Sequence, residues 1–246
     1  MRLAKFLAHA GVASRRRAEQ LILSGRVAVN GETVSRLSFR VGPSDRVELD
    51  GRAVTAGERK RYLLLDKPRG VLSTVRDPRG RPTVMDLLPG VAERVYPVGR
   101  LDADTEGVLL LTNDGELAYR LTHPRFGIEK VYRAWVQGIP TAEALKKISR
   151  GVVVEGKATA PARVKLLKTE GGRKALLEIT LTEGRKRQVR LMCAAAGHPV
   201  LRLRRVRFAF LTARGLKSGL YRDLAPAEVR RLYKLVKLEP PHPVRP

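Results

Sequence analysis

Gly99-Arg100-Leu101-Asp102-Ala103-Asp104-Thr105-Glu106-Gly107 runs without a break into Val108-Leu109-Leu110-Leu111-Thr112. The apolar run is bounded by Gly107 and by Asn113-Asp114-Gly115, so it reads as a short strand buried on both faces. The nine residues ahead of it hold three acids, one arginine and two glycines. A polar loop at the mouth of a buried strand is a place where a rigid scaffold presents reactive groups. Spacing alone leaves the roles open. Asp102 and Asp104 are read either as paired carboxylates (acid and base, or metal ligands) or as caps of the turn through side-chain to backbone bonds. Alternate residues of an extended segment point to opposite sides, which counts against the two acting together.

Downstream of this strand, Glu116-Leu117-Ala118-Tyr119-Arg120-Leu121 has helical spacing, and Val131-Tyr132-Arg133-Ala134-Trp135-Val136 alternates as a strand. Thr141 is a helix cap, with Glu143 early and Lys146 and Lys147 late in the helix, as the dipole prefers. Strands are expected near 162–168 and 175–182, a helix from Gln188 to Ala196 ending at Gly197, one or two strands over 200–211, and a helix starting at Pro226. Upstream, Tyr62-Leu63-Leu64-Leu65 reads as another buried strand, and residues 76–82 as a loop rich in Arg, Pro and Gly. Strands and helices alternate without βαβ regularity. The fold class expected is therefore α+β on a mixed, mostly antiparallel sheet.

Residues 1–58 read as a separate module. Leu3, Phe6, Leu7 and Ala10 recur at helical spacing up to Gly11. Ser14 caps a second helix that begins Arg15-Arg16-Arg17 and stops at Gly25. Val27-Ala28-Val29-Asn30-Gly31-Glu32-Thr33-Val34 is a hairpin around an Asn-Gly turn, and Val47-Glu48-Leu49 is a further strand. A charged linker is expected over 56–61. The tail, residues 239–246, is rich in Pro and expected to be disordered.

Composition narrows the function. Lys and Arg number 49 against 24 Asp and Glu, a net charge of +25, and 35 of the basic residues are Arg. Residues 185–246 hold 16 Lys and Arg against 3 acids, and residues 1–61 hold 13 against 6. Self-repulsion on this scale is relieved by a polyanion, and nucleic acid is the partner that fits. No apolar run approaches the length of a membrane span, and no secretory signal is visible, so a cytoplasmic protein is expected. Cys193 is the sole cysteine and the four histidines are scattered, so neither a disulfide nor a metal site is expected.

At this point the residues carry a resemblance. Arg2-Leu3-Ala4-Lys5-Phe6-Leu7, Gly11-Val12-Ala13-Ser14-Arg15-Arg16 and Gly25-Arg26-Val27-Ala28-Val29-Asn30-Gly31 resemble the S4 RNA-binding domain. Gly99-Arg100-Leu101-Asp102 with Thr105 and Gly107 resembles the signature of pseudouridine synthases. Three companion motifs stand in the expected order: Leu65-Asp66-Lys67-Pro68-Arg69-Gly70, then Glu129-Lys130-Val131-Tyr132-Arg133, then Glu183-Gly184-Arg185-Lys186-Arg187-Gln188-Val189-Arg190. Together with the S4-like module they resemble the RsuA/RluB/RluE/RluF branch, which modifies ribosomal RNA. Leu121-Thr122-His123-Pro124-Arg125-Phe126 and Gly219-Leu220-Tyr221-Arg222-Asp223-Leu224 are most similar to the RluB type, which acts on large-subunit (23S) RNA.

The resemblance implies an α+β catalytic domain over 59–238 and an isomerisation without metal or cofactor. It implies Asp102 as the catalytic carboxylate, Arg190 as the cation beside it and Tyr132 against the uracil. It further implies Arg100 filling the space left by a flipped base, Lys67 with Pro68 shaping the pocket floor, and Arg187 contacting RNA or supporting the site. Lys5, Arg15, Arg16 and Arg17 become the phosphate contacts of the S4-like module. The partner implied is ribosomal RNA, free or in an assembling subunit, bound by a monomer. Two rival readings remain: a non-catalytic RNA-binding or assembly protein on the same fold, and a metal-dependent enzyme using Asp102 and Asp104.

Overall fold

A computed structural model describes residues 1–55, 59–154 and 156–239. Residues 56–58 of the expected linker and 240–246 of the expected tail lie outside the described residues.

The N-terminal part contains two helices, α1 (Leu3–His9) and α2 (Arg15–Leu23), and strands β1 (Val27–Val29), β2 (Glu32–Thr33), β3 (Val47–Leu49) and β4 (Arg52–Ala53). The strands form one sheet in the order β2-β1-β3-β4. Ser14 caps α2 as expected, accepting from Arg17 N at 3.1 Å. Asn30 and Gly31 both have positive φ, 54° and 86°, which is the hairpin turn that pair favours. Leu3, Leu7, Ala18, Ile22, Val27 and Val47 close the small core.

The second part is built on strands β5 (Tyr62–Lys67), β6 (Tyr96–Pro97), β7 (Thr105–Thr112), β8 (Lys130–Gln137), the small pair β9 (Val153–Val154) and β10 (Lys157–Ala158), then β11 (Arg163–Glu170), β12 (Lys174–Leu181), β13 (Val200–Phe208) and β14 (Tyr221–Asp223). Helices α3 (Gly115–Thr122), α4 (Ala142–Arg150), α5 (Gln188–Ala195) and α6 (Pro226–Leu235) pack on it. The large sheet runs β11-β12-β8-β13-β7-β5-β14, with β6 also on β7. Neighbours pair antiparallel except β7 and β13, which are parallel. The mixed, mostly antiparallel sheet is therefore the one expected.

The run from 105 to 112 is buried at every position. Val108 and Leu110 face a core shared with Leu117 and Leu121 of α3 and Leu232 of α6. Leu109 and Leu111 face the opposite core, with Leu63, Leu65, Val84 and Leu101. A third core lies between β8, β12 and helices α4 and α5. Gly107 has φ 109°, and a Cβ there would lie 2.1 Å from the carbonyl oxygen of Arg205. Only glycine lets β7 and β13 run side by side at this point.

Strands β14, β6 and the β9–β10 pair were not anticipated. Each is two or three residues long, too short for alternation to register, and β14 exists by pairing Tyr221, Arg222 and Asp223 with Leu65, Leu64 and Leu63.

Candidate active site

The polar stretch ahead of β7 forms a turn, closed by Thr105 N donating to Asp102 O at 3.0 Å. Its backbone is tied to the segment that follows β5. Gly70 N donates to Ala103 O at 2.8 Å. Ser73 Oγ donates to Leu101 O at 2.9 Å and accepts from Leu101 N at 3.1 Å. Lys67 is 0% exposed, and its Nζ donates to the carbonyls of Pro68 (2.8 Å), Thr105 (2.9 Å) and Ala103 (3.4 Å). The first motif thus holds the second in place.

Lys67, expected with Pro68 to shape the pocket floor and grouped with the residues that bind substrate, has its ammonium on backbone carbonyls instead. It lies beneath the turn and does not line the cleft. Burial pulls its pKa down to about 8, against the restoring field of Asp104, Glu106 and Asp102. A cation buried under three acids offsets their mutual repulsion.

Above the turn opens a cavity of about 640 Å³, lined by Arg100, Asp102, Tyr132 and Arg187 among others. Asp102 and Tyr132 come from separate strands' ends and share this space. Tyr132 is half-buried and packs on two of the hydrophobic cores, which fixes its ring at the seam between them. Arg100 and Arg187 are exposed at the rim.

Arg190 departs from expectation. Its Nη2 lies 2.9 Å from Asp104 Oδ2 and 3.2 Å from Asp104 O, and its Nη1 donates to Val200 O at 3.3 Å. Among the described residues it forms no ion pair with Asp102. The turn is the cause: it places Asp102 toward the cavity and Asp104 toward α5. Arg187 Nη2 also stands 3.8 Å from Asp104 Oδ2. Asp104 thus pairs with Arg190 of α5 and with Arg187 at its N-cap.

The basic motif divides by role. Arg185 donates to the carbonyls of Lys157 and Ala158 at 3.2 and 2.6 Å, and buried Gln188 bridges Arg185 N and Glu183 Oε1 at 3.0 and 2.7 Å. These shape the loop. Lys186 lines the cavity without a hydrogen bond or ion pair among the described residues. Sequence reasoning gave no role to Lys186, Arg76 or Arg81, all cavity-lining. Arg81 forms a two-pronged bond to Asp77 at 3.0 and 2.8 Å and holds that carboxyl at about 2. The signal was present in the Arg-rich loop at 76–82, but a loop without periodicity does not announce what it faces.

Lys5 and Arg15 line a second cleft, between the N-terminal helices and α3. Arg16 and Arg17 are exposed elsewhere on α2, with Arg17 Nη1 donating to Gln20 Oε1 at 3.1 Å. No cluster of His, Cys, Asp and Glu suited to a metal occurs among the described residues, and no helix among them is long and apolar enough to cross a membrane.

Comparison with known proteins agrees with this geometry. The family model described as RNA pseudouridylate synthase matches residues 61–195, and that of the S4 domain matches residues 1–47. A ribosomal large subunit pseudouridine synthase B of Bacillus subtilis (strain 168) is 50% identical over 95% of this chain and 96% of its own length. A protein of the same name from Escherichia coli O157:H7 is 41% identical over 97% of this chain and 84% of its own. A solved structure, the crystal structure of a pseudouridylate synthase, superposes with TM-score 0.68 at 30% identity, covering 94% of this chain and 99% of the other. With the motifs gathered around one cavity and relatives matching along nearly the full length, the chain belongs to the RNA pseudouridylate synthase family, carries an S4 domain ahead of the catalytic one, and is an isomerase acting on RNA.

Proposed function

We propose that the substrate is a uridine of large-subunit ribosomal RNA and that Asp102 is the catalytic carboxylate. The observation that carries the site is that Asp102 and Tyr132, remote in sequence, line one cavity rimmed by Arg100, Lys186 and Arg187. The relatives from B. subtilis and E. coli, named for the large ribosomal subunit, support the substrate.

The reaction breaks the bond from uracil N1 to C1′ of the ribose and forms one from C5 to C1′. C5 gives up its proton and N1 gains one, so atoms balance within the nucleotide and neither an oxidant nor a metal is called for. Two first steps suit an ionised carboxylate: attack on C1′, or removal of a ribose proton. Both need Asp102 charged in a site that excludes water, where an isolated charge is costly. Lys67 beneath the turn supplies the compensating charge, and Arg190 neutralises Asp104, the nearest competitor. Tyr132 offers a ring on which a flipped base stacks. Arg100 at the rim is placed to occupy the gap left in the RNA. The S4-like module, residues 1–58, and the basic C-terminal segment bind phosphates of the surrounding RNA, free or in an assembling subunit, with the protein acting as a monomer.

The test is a pseudouridine map of ribosomal RNA from cells lacking the gene, alongside purified protein acting on large- and small-subunit transcripts. One missing large-subunit pseudouridine, restored by the purified protein without added metal or nucleotide, is expected. Loss confined to small-subunit RNA would overturn the substrate assignment.

A further inference from the structure

The second cleft, about 510 Å³, has two unlike walls. One is made by Lys5, His9, Ser14 and Arg15 of the S4-like helices. Neither Lys5 nor Arg15 forms a hydrogen bond or ion pair among the described residues. The other wall is α3, on which Tyr119 is 45% exposed.

The walls are held at a set distance. Arg94 Nη1 donates to Ala13 O at 3.1 Å across the domains. Gly115, at the start of α3, allows a close approach: a Cβ there would lie 3.1 Å from Tyr96 Oη and 3.7 Å from His9 Nε2. The cleft is positive. His9 has its pKa lowered by burial first and then by Lys60, Lys5 and Arg15, with only Asp114 acting in the other direction among the close charges. Glu116, the acid in the lining, is bonded to Arg120 at 3.0 Å. The Arg125 guanidinium stands over one face of the Tyr119 ring, 5.7 Å from its centre, and His123 packs against it with ring centroids 5.2 Å apart, so a base would meet the other face. Gly99 lines both this cleft and the Asp102 cavity, so the two adjoin there.

Cations on one wall and a partly free aromatic face on the other are the two elements of a single-strand binding site. We propose that this cleft holds an unpaired nucleotide of the RNA beside the target uridine, its phosphate against Lys5 and Arg15 and its base stacked on Tyr119. The inference rests on RNA being the substrate of the adjoining cavity. It adds a contact made by α3 of the catalytic domain, outside the reacting nucleotide.

The test uses the full chain and a fluorescein-labelled single-stranded 12-mer of uridylate, followed by anisotropy across a salt series. Tyr119→Ala raises the Kd roughly 5- to 100-fold, and Tyr119→Phe stays within about twofold of the parent because the ring is kept. Lys5→Ala lowers the slope of log affinity against log salt by about 0.7, while Tyr119→Ala leaves that slope unchanged. A parent protein that does not bind the 12-mer, a Tyr119→Ala protein that binds like the parent, or a Phe variant as weak as the Ala variant would each overturn the cleft. Pseudouridine formation in a large-subunit transcript is measured in parallel. Failure there with stacking on Tyr119 intact removes the ribosomal assignment and leaves the cleft; the converse removes the cleft alone.

Discussion

Two regions border the Asp102 cavity, and they are built on opposite plans. On one side, the stretch 101–105 has its backbone groups bound by Gly70, Ser73 and the buried Lys67 ammonium, and it leads into a strand with no exposed residue. On the other side, the loop at 184–187 is anchored by Arg185 and Gln188, yet Lys186 and Arg187 stand exposed, and Arg187 has only a 3.8 Å approach to Asp104. The difference matches two tasks. A carboxylate proposed to meet one atom of the ribose needs a fixed backbone, since a misplacement of about 1 Å can cost on the order of 100-fold in rate. Cations that meet phosphates along a strand need charge more than fixed position.

The comparison is broken most severely at Gly107. Gly107→Ala drives a methyl group into the Arg205 carbonyl at a φ that alanine avoids. A loss of at least about 3 kcal/mol is expected, through separation of β7 from β13. Denaturant unfolding checks it, and a melting point equal to the parent's would show that the parallel pair tolerates a side chain.

Next comes Lys67→Met, which removes the donor shared by three carbonyls. A stability loss of about 2 kcal/mol is expected, with a fall in single-turnover rate on the order of 10- to 100-fold as the turn shifts. RNA affinity should stay near the parent's, since the rim cations are untouched. Equal losses in rate and affinity would mean that Lys67 meets the RNA.

The same lysine sets an alkaline limb. Its pKa lies near 8 in the fold against an ordinary 10.5. Between those values the unfolded chain binds the proton and the folded chain does not, so this group makes stability rise with pH over that window. Activity moves the other way, because the charge beneath Asp102 is lost. The expected rate profile falls above about pH 8 while the melting temperature shows no matching fall from this group. The limb should vanish in Lys67→Met. Lys130, also lowered to about 8 by burial, adds to the stability change but not to the field at Asp102.

The smallest effects belong to the loose wall. Lys186→Ala and Arg187→Ala should each weaken RNA binding a fewfold and lower the salt slope by about 0.7–0.9, with single-turnover rate at saturating RNA nearly unchanged. A rate collapse in either would move that residue into the chemistry.

What could be read from sequence follows the range of the forces involved. The Ser14 and Thr141 caps and the Asn30-Gly31 turn depend on neighbours within three residues, and all three stand as expected. The double-sided burial of the Val108 to Leu111 run was legible because both faces are apolar. The partner of Arg190 was not. Asp102 and Asp104 are separated by one residue, and the turn between them decides which meets the arginine; that turn is held by Lys67, Gly70 and Ser73, some thirty residues upstream. The role of Lys67 was hidden for the same reason, since its three acceptors come from two segments. Tyr132 could be placed on a strand, but its position at the seam of two cores appears only once β8 lies beside β13.

The central claim is that the carboxylate of Asp102 performs the chemistry while others hold the RNA. The direct measurement is single-turnover pseudouridine formation by Asp102→Asn on large-subunit ribosomal RNA, with binding of the same RNA measured in parallel. The account predicts no detectable product and a Kd within about threefold of the parent's, because phosphate contacts supply most of the affinity. Product formed at a rate near the parent's would contradict it.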